Sequence, residues 1–199
     1  MCGVLATPVF AQSGGTLAIG ADFSLRNAIS PNVGGARDVS LLWRWGHDRT
    51  GWGWHWGLNW YATDLDRSIA GRDTRLGELR VRPIMAGYGY SYVIGRTSIT
   101  ADVLGGYAVT SLALAPAAND AYHQRLGAQS VSGDASNTFV MKPEVGVWFD
   151  LTRKIGVHVD TGYMVARPTV TVNSTLGRDS SRIRADMFMF KVGAAYSIF

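Results

Sequence analysis

The last thirteen residues of the chain, 187–199, read MFMFKVGAAYSIF. Apolar or aromatic side chains recur at every second position from Phe188 to Ile198, and the positions between them are more polar on average. This period of two is typical of a β-strand with one apolar face and one mixed face. No proline, turn pair or helix cap interrupts it. We expect such an apolar strand to be paired on both edges, and closure into a barrel pairs every edge.

The same stretch resembles the C-terminal assembly signal of bacterial outer-membrane β-barrel proteins. That signal combines a polar residue, a glycine and two spaced hydrophobic residues near a terminal aromatic residue. The matching residues are Lys191, Gly193, Tyr196, Ile198 and Phe199. The resemblance implies recognition by the outer-membrane assembly machinery. An ordinary buried final strand is the alternative.

Upstream of this stretch the sequence predicts seven more strands, each long enough to cross a bilayer at a tilt. The eight predicted strands are Thr16–Asn27, Val39–Gly46, Trp52–Ala62, Glu78–Val93, Ser98–Leu114, Thr138–Leu151, Ile155–Val172 and 187–199. No helix is expected between them. The phase of the fourth strand is ambiguous, because Leu79 and Val81 suggest one apolar face and Tyr88 and Tyr90 the other; a bulge near Pro83 would reconcile them.

The predicted connections alternate between long and tight. Tight turns lie at 48–51, 95–97 and 152–154, whereas polar loops are predicted at 30–35, 63–76, 116–137 and 173–184. Outer-membrane barrels have short periplasmic turns and long external loops. The predicted fold class is therefore all-β, an eight-stranded antiparallel up-and-down transmembrane β-barrel with both termini in the periplasm.

Aromatic residues support a lipid-facing exterior. Four tryptophans and a leucine alternate along 52–60, and such a face is unfavourable in water. Rings near the tight turns are predicted to form a periplasmic aromatic girdle at the headgroup level. The girdle residues are Trp45, Trp52, Trp54, Tyr90, Tyr92 and Phe149. A cluster of core aromatics in a soluble fold is the alternative.

The opposite strand faces carry charged and polar residues, which a membrane barrel directs into its lumen. The predicted lumen residues are Asp22, Arg26, Arg44, His55, Asn59, Asp102, Lys142, Glu144, His158, Asp160 and Lys191. Because eight strands leave an interior that side chains just fill, these charges are expected to pair as a structural plug. In particular, Asp22 is expected to pair with Lys191, Arg44 or both. A proton path or a catalytic dyad is the functional alternative.

Few features indicate enzymology. Among barrel enzymes, the lipid A deacylases carry a His-x-Ser-Asn setting, whereas this chain has Val157–Thr161 around His158, without the serine and asparagine. No hydrolase, phosphate-loop or metal-ligand spacing occurs, so no cofactor, metal or catalytic residue is predicted. Cys2 is the only cysteine, which rules out a disulfide within this sequence.

The beginning of the sequence is typical of processing rather than of structure. Residues 1–11 resemble the end of a secretory signal peptide, with cleavage after Ala11, and residues 12–199 form the predicted barrel domain. A lipoprotein signal at Cys2 and a frayed cytosolic N-terminus are the alternatives.

The chain from about Thr16 onwards resembles the small outer-membrane barrels of the OmpA, OmpX and OmpW type, also described as porin-family outer-membrane β-barrel domains. The resemblance implies a monomeric integral protein of the outer membrane of a diderm (Gram-negative) bacterium, in contact with lipid and lipopolysaccharide and with roles in envelope integrity, adhesion or limited solute passage. The net charge of +4 comes from scattered residues, which disfavours nucleic-acid binding. Two alternatives remain: a lipid A-modifying acyl hydrolase or transferase, and a soluble ligand-binding barrel.

Overall fold

The computed structural model of the protein describes residues 17–45 and 49–198, and it describes their side chains except those of residues 37–45. Its elements are β1 (Leu17–Ala28), β2 (Ala36–Trp45), β3 (Gly51–Leu58), β4 (Tyr61–Ile69), β5 (Arg72–Ile94), β6 (Thr97–Leu114), α1 (Pro116–Leu126), β7 (Val131–Ala135), β8 (Thr138–Asp150), β9 (Ile155–Ala166), β10 (Thr169–Ser174), β11 (Gly177–Arg182) and β12 (Met187–Ser197).

One antiparallel sheet forms the body of the molecule, in the order β2-β1-β12-β9-β8-β6-β5-β3. β4 also pairs with β5 and continues the line of β3, because Leu58 lies opposite Ile84 and Tyr61 opposite Val81 without a change of register. The last strand pairs with the first, with Asp22 opposite Gly193. The predicted antiparallel up-and-down arrangement of eight membrane-crossing strands is therefore confirmed.

The two ends of the strand order approach each other at the external end of the barrel. Val33 forms an antiparallel bridge with Leu65 of β4. The amide of Gly34 donates to the carbonyl of Asp64 at 2.8 Å, and the amide of Asp66 donates to the carbonyl of Asn32 at 3.0 Å. Backbone hydrogen bonds thus join the segment that leads into β2 to the strand at the opposite end of the order.

The outer surface of the sheet is a band of exposed apolar side chains. Trp52, Trp54 and Trp56 are each more than 65% exposed, and Phe139 is 82% exposed. On β5 the band covers residues 84–94, and on β8 it covers 139–149, each close to the 9–11 residues of a tilted transmembrane strand. Water would disfavour this surface, which argues against the soluble-barrel alternative. Within the described ranges, no helix is long and apolar enough to cross a membrane.

The long connections are folded rather than irregular, so three loop predictions were wrong. The segment 63–76 belongs to a hairpin in which Ile69 lies opposite Arg72, with Ala70 and Gly71 at positive φ in the turn. Most of 173–184 lies in the hairpin of β10 and β11, and β7 pairs with β10. The buried apolar residues of these hairpins are few and stand among charged ones, as with Leu65 and Ile69 around Asp66 and Arg67, so their alternation was too weak to predict strands.

The prediction that no helix interrupts the strands was also wrong. Helix α1 begins at Pro116 and ends before Gly127, which adopts a left-handed conformation with φ of 72°. Proline in the first helical turn and glycine just beyond the end are the usual positions of these residues. The flanking residues and the alanines, which are the best helix formers, therefore both carried a helix signal that the loop prediction overlooked.

The structure has no bulge at Pro83, contrary to prediction. β5 keeps one register with β6 through this point, with Arg82 opposite Val109 and Ile84 opposite Tyr107. Both faces of β5 are apolar because its odd positions line the apolar interior and its even positions face lipid. The register shift lies instead at Leu65/Asp66, where β4 pairs with β5 outside the apolar band.

Candidate functional site in the barrel interior

A layer of charged side chains crosses the lower part of the interior. Strand alternation turns every second residue inward, and the registers place Asp102 opposite Glu144 and Lys191 opposite Asp160. Lys142 is 1% exposed and forms an ion pair with Glu144 within β8. The sheet thus brings carboxylates and amines from five different strands into one layer.

Lys191 is shared by two carboxylates in this layer. Its Nζ lies 4.0 Å from Oδ2 of Asp22 and 4.0 Å from Oδ2 of Asp160. Lys191 is thus one of the two partners expected for Asp22, at a distance of 4.0 Å. Asp22 lies opposite Ser40 and Arg44 lies opposite Ala18 in the β1–β2 register, and the side chain of Arg44 lies outside the described residues.

Two histidines each meet a carboxylate in the same layer. Nδ1 of His55 lies 3.3 Å from Asp102, and Nε2 of His158 lies 3.4 Å from Asp160. Both imidazoles are at least four-fifths buried. These pairs have the composition of an acid–base dyad, but they point into the lumen rather than towards the outer leaflet.

Two predicted lumen residues lie outside this layer, closer to the external end. The guanidinium of Arg26 lies over the ring of Tyr61, 5.3 Å from its centroid, and Asn59 is 1% exposed. Arg26 thus contacts an aromatic ring contributed by β4 on the far side of the strand order.

Above the charged layer the interior is apolar, a feature that sequence reasoning missed. Met85, Met164, Met187 and Met189 are all at most 1% exposed and form what we call the methionine layer. Farther out, α1 contributes Ala118, Ala121 and Tyr122 to the same core. A methionine in the sequence can be buried or can face lipid, as Met141 does. Only the assignment of each position to the inner or the outer face of its strand could therefore have indicated this layer.

Trp148 packs on the side of the charged layer that is nearer the tight turns and was also missed. Its indole is 7% exposed, lies 5.9 Å from the His158 ring, and donates from Nε1 to Asp150 at 2.6 Å. It rests on Gly156, where an added Cβ would lie 2.6 Å from Nε1. The sequence did indicate its orientation, because Trp148 stands between Val147 and Phe149, which face lipid, and the residue between two lipid-facing residues of a strand points inward.

The predicted girdle residues lie on the lipid-facing surface near the tight turns. Trp52 stacks on Tyr88 at 5.6 Å and meets Tyr90 edge-on at 5.4 Å. Tyr92 and Phe149 are also exposed. The side chain of Trp45 and all of Phe199 lie outside the described residues.

The described interior contains no arrangement of three or more His, Cys, Asp or Glu suited to a metal ion. Chemically, the charged layer can exchange protons between neighbours and hold its strands in register.

Comparison with known proteins supports the fold. The crystal structure of the outer membrane protein OprG from Pseudomonas aeruginosa is similar with a TM-score of 0.73 and 13% identity, over 93% of this chain and 96% of that one. The solid-state NMR structure of the outer membrane protein AlkL in DMPC bilayers is similar with a TM-score of 0.59 and 17% identity, over 100% of this chain and 97% of that one. No protein-family model matches the sequence, and no curated protein does. The chain therefore shares the fold of small outer-membrane β-barrel proteins, and its exposed apolar band is the kind of surface that such a fold turns to lipid.

Proposed function

We propose that this outer-membrane barrel is non-enzymatic, has a lumen closed to ions and hydrophilic solutes, and presents its folded external part to lipopolysaccharide and neighbouring surfaces. The observation that carries the proposal is that buried side chains occupy the interior of the eight-stranded barrel at three successive levels. Trp148 packs below, the charged layer crosses the middle, and the methionine layer with its apolar core fills the external part.

The charged layer supports closure because its groups engage one another. Lys142 pairs with Glu144, and Lys191 lies between Asp22 and Asp160. An ion entering this layer would have to separate buried pairs, and removing one partner of such a pair costs about 3–5 kcal/mol. A wide aqueous channel requires about sixteen strands.

The external part supports a contact role because it is folded. Arg67 of β4 pairs with Asp179 of β11 at 2.7 Å, which links two external hairpins. Arg125 of α1 donates to the carbonyl of Ile69 at 3.2 Å, which holds the helix against the tip of the β4–β5 hairpin. A surface ordered in this way can contact a partner without first paying the entropy of ordering a loop.

Planar-bilayer recording tests the closed lumen. The purified wild-type protein is expected to show no large, steady currents. A variant with Lys142→Ser and Glu144→Ser removes one pair and leaves small polar groups, so it is expected to show more frequent openings. Porin-sized currents from the wild type would contradict the proposal.

The methionine layer favours a second candidate, the slow passage of small apolar solutes. Methionine side chains are flexible and fill irregular space, so this layer can rearrange more readily than one built from branched residues. Uptake of a labelled monocyclic hydrocarbon by cells with and without the protein tests this candidate. Faster uptake that Met164→Trp abolishes would favour it over the closed barrel.

The lipid A-modifying enzyme remains the rival class. Its candidate groups would be the His158–Asp160 and His55–Asp102 pairs, both inside the lumen. Mass spectrometry of lipid A from expressing and deleted cells separates the classes. A change in acyl number that His158→Ala abolishes would establish the enzyme.

We also propose the processing and assembly steps that the sequence indicates. Cleavage after Ala11 is expected to leave Gln12 at the N-terminus, which N-terminal sequencing checks. Tyr196, which is 49% exposed on the lipid face of β12, and Phe199 are proposed to engage the assembly machinery. Tyr196→Ala is expected to lower the amount of folded barrel in the membrane without changing its unfolding midpoint.

A further inference from the structure

The lipid-facing surface of β5 carries two arginines where its apolar band ends. Ile84 is 62% exposed and is the outermost apolar residue of this band on β5. Arg82 and Arg80 follow on the same face, and both are exposed. Because the tight turns lie at the opposite end of the strands, this boundary belongs to the outer leaflet.

The guanidinium groups differ in their partners. Arg80 Nε donates to Glu78 at 2.7 Å, and its side chain is 50% exposed. Arg82 has no ion pair or side-chain hydrogen bond with any part of the described chain. An unpaired cation beside a hydrocarbon band is costly unless its charge reaches the headgroup region.

The neighbouring strands place small residues on both sides of Arg80, whereas Arg82 has Trp60 on one side and Val109 on the other. Beside Arg80 the facing residues are Ala62 and Ser111, both small. The unchanged register of β3 and β4 along β5 places Trp60, which is 59% exposed, beside Arg82. The Cα atoms of Arg80 and Arg82 are two strand residues apart, roughly 7 Å, and the exposed Trp60 stands directly across from Arg82 on the neighbouring strand.

This combination fits a phosphorylated glycolipid. Guanidinium groups bind phosphate through two parallel hydrogen bonds, and an exposed indole at the interface packs on sugar rings and acyl-chain ends. A phospholipid also offers a phosphate, but it lacks the sugar ring on which the indole can pack.

We propose that Arg82, Arg80 and Trp60 form a binding site for a phosphate group of lipid A on the outer-leaflet rim of the barrel. The proposal does not depend on whether the lumen is closed. Arg82 is the principal ligand because its charge is uncompensated, and Arg80 contributes less because it is shared with Glu78. Trp60 contacts the glycan and the first carbons of the acyl chains.

Native mass spectrometry of the detergent-purified barrel tests the site with three probes: diphosphoryl lipid A, lipid A from which both phosphates have been removed, and phosphatidylglycerol. The variants are Arg82→Gln, Arg80→Gln, the double variant, and Arg153→Gln as a control. Arg153 is an exposed arginine in the tight turn between β8 and β9, at the opposite end of the barrel. Heat-modifiability on gels verifies that each variant is folded.

We expect the wild type and the Arg153→Gln variant to retain diphosphoryl lipid A equally. Arg82→Gln is expected to lower the bound fraction at least about fivefold, the size typical of a lost charge-assisted contact, and Arg80→Gln less. Equal retention by the double variant and the wild type would overturn the proposal. Equally tight binding of dephosphorylated lipid A would overturn the role of the phosphate, and equally tight, Arg82-dependent binding of phosphatidylglycerol would overturn the choice of glycolipid.

Discussion

Lys191 and Asp22 lie 4.0 Å apart where the last strand of the barrel pairs with the first. Their contact joins two ends of the chain inside the lumen, and the same ammonium group reaches Asp160 on the neighbouring strand. Pairing of the first strand with the last and neutralisation of the buried carboxylates therefore involve the same residue.

Removal of Lys191 is expected to destabilise the barrel strongly. Lys191→Met leaves Asp22 and Asp160 as buried carboxylates without this partner, which costs about 3–5 kcal/mol. Asp22→Ala is expected to cost less, because Asp160 still accompanies the ammonium group. Urea unfolding in detergent, followed by gel mobility, gives the midpoints.

Asp179→Ala is the matched control for these variants. Asp179 pairs with Arg67 but its side chain is 63% exposed, so the loss is expected to stay below about 1 kcal/mol. A loss for Asp179→Ala equal to that for Lys191→Met would show that burial of the charged layer does not decide stability.

The contact of Trp148 with Gly156 predicts a site that cannot accept a methyl group. Gly156→Ala would place Cβ 2.6 Å from Nε1 of the indole, and displacement of Trp148 is expected to cost about 1–3 kcal/mol. Gly105→Ala is the control, because nothing lies within 4 Å of its added Cβ. Thermal unfolding of both variants in detergent checks the pair; equal midpoints would contradict the packing described for Trp148.

Asp186 is expected to hold the external hairpins in place. It is buried, its Oδ1 accepts the amide of Ala166 at 3.1 Å, and its Oδ2 accepts Nε of Arg184 at 3.1 Å. Asp186→Ala leaves a buried amide without its acceptor, which costs about 2–3 kcal/mol of unfolding free energy. The substitution is expected to cause local opening of residues 167–184. Limited digestion with trypsin at Arg178 and Arg182 measures this opening.

Asp134→Ala serves as the control for this experiment. Among the described residues Asp134 accepts only the amide of the adjacent Ala135, at 2.8 Å, so its loss is expected to leave the digestion rate unchanged. Resistance of the Asp186→Ala variant to trypsin at the wild-type level would refute the anchoring role.

The stacked pair of Trp52 and Tyr88 predicts a measurable coupling on the lipid-facing surface. Their rings lie 5.6 Å apart and nearly parallel, at 4°. A double-mutant cycle of Trp52→Ala and Tyr88→Ala in lipid vesicles is expected to give a coupling of about 0.5–1.5 kcal/mol. The control cycle uses Trp56, which lies opposite Ala86, with Tyr88, and it is expected to be additive. Additivity in both cycles would show that contact with lipid alone, without contact between the rings, accounts for the contribution of the girdle residues to stability.

The sequence by itself determined the membrane-crossing strands and the tight turns, and it determined the faces of these strands except for the fourth. A strand crossing a bilayer must turn apolar side chains to lipid at every second position, and stretches such as 187–199 and 52–60 show this alternation in the sequence. For the same reason the inward orientation of Asp22, Asp160 and Lys191 could be predicted before their neighbours were known.

Only the tertiary structure decided which inward residues meet and what fills the external half. Register and the diagonal reach of long side chains place Lys191 between Asp22 and Asp160, and neither is encoded in the period of one strand. The external hairpins do not contact lipid, so their sequences need no apolar residue at every second position. The strands within 63–76 and 173–184 could therefore not be recognised from the sequence. Met85, Met164, Met187 and Met189 form one layer only because the sheet brings four of its positions to the same side of the charged layer.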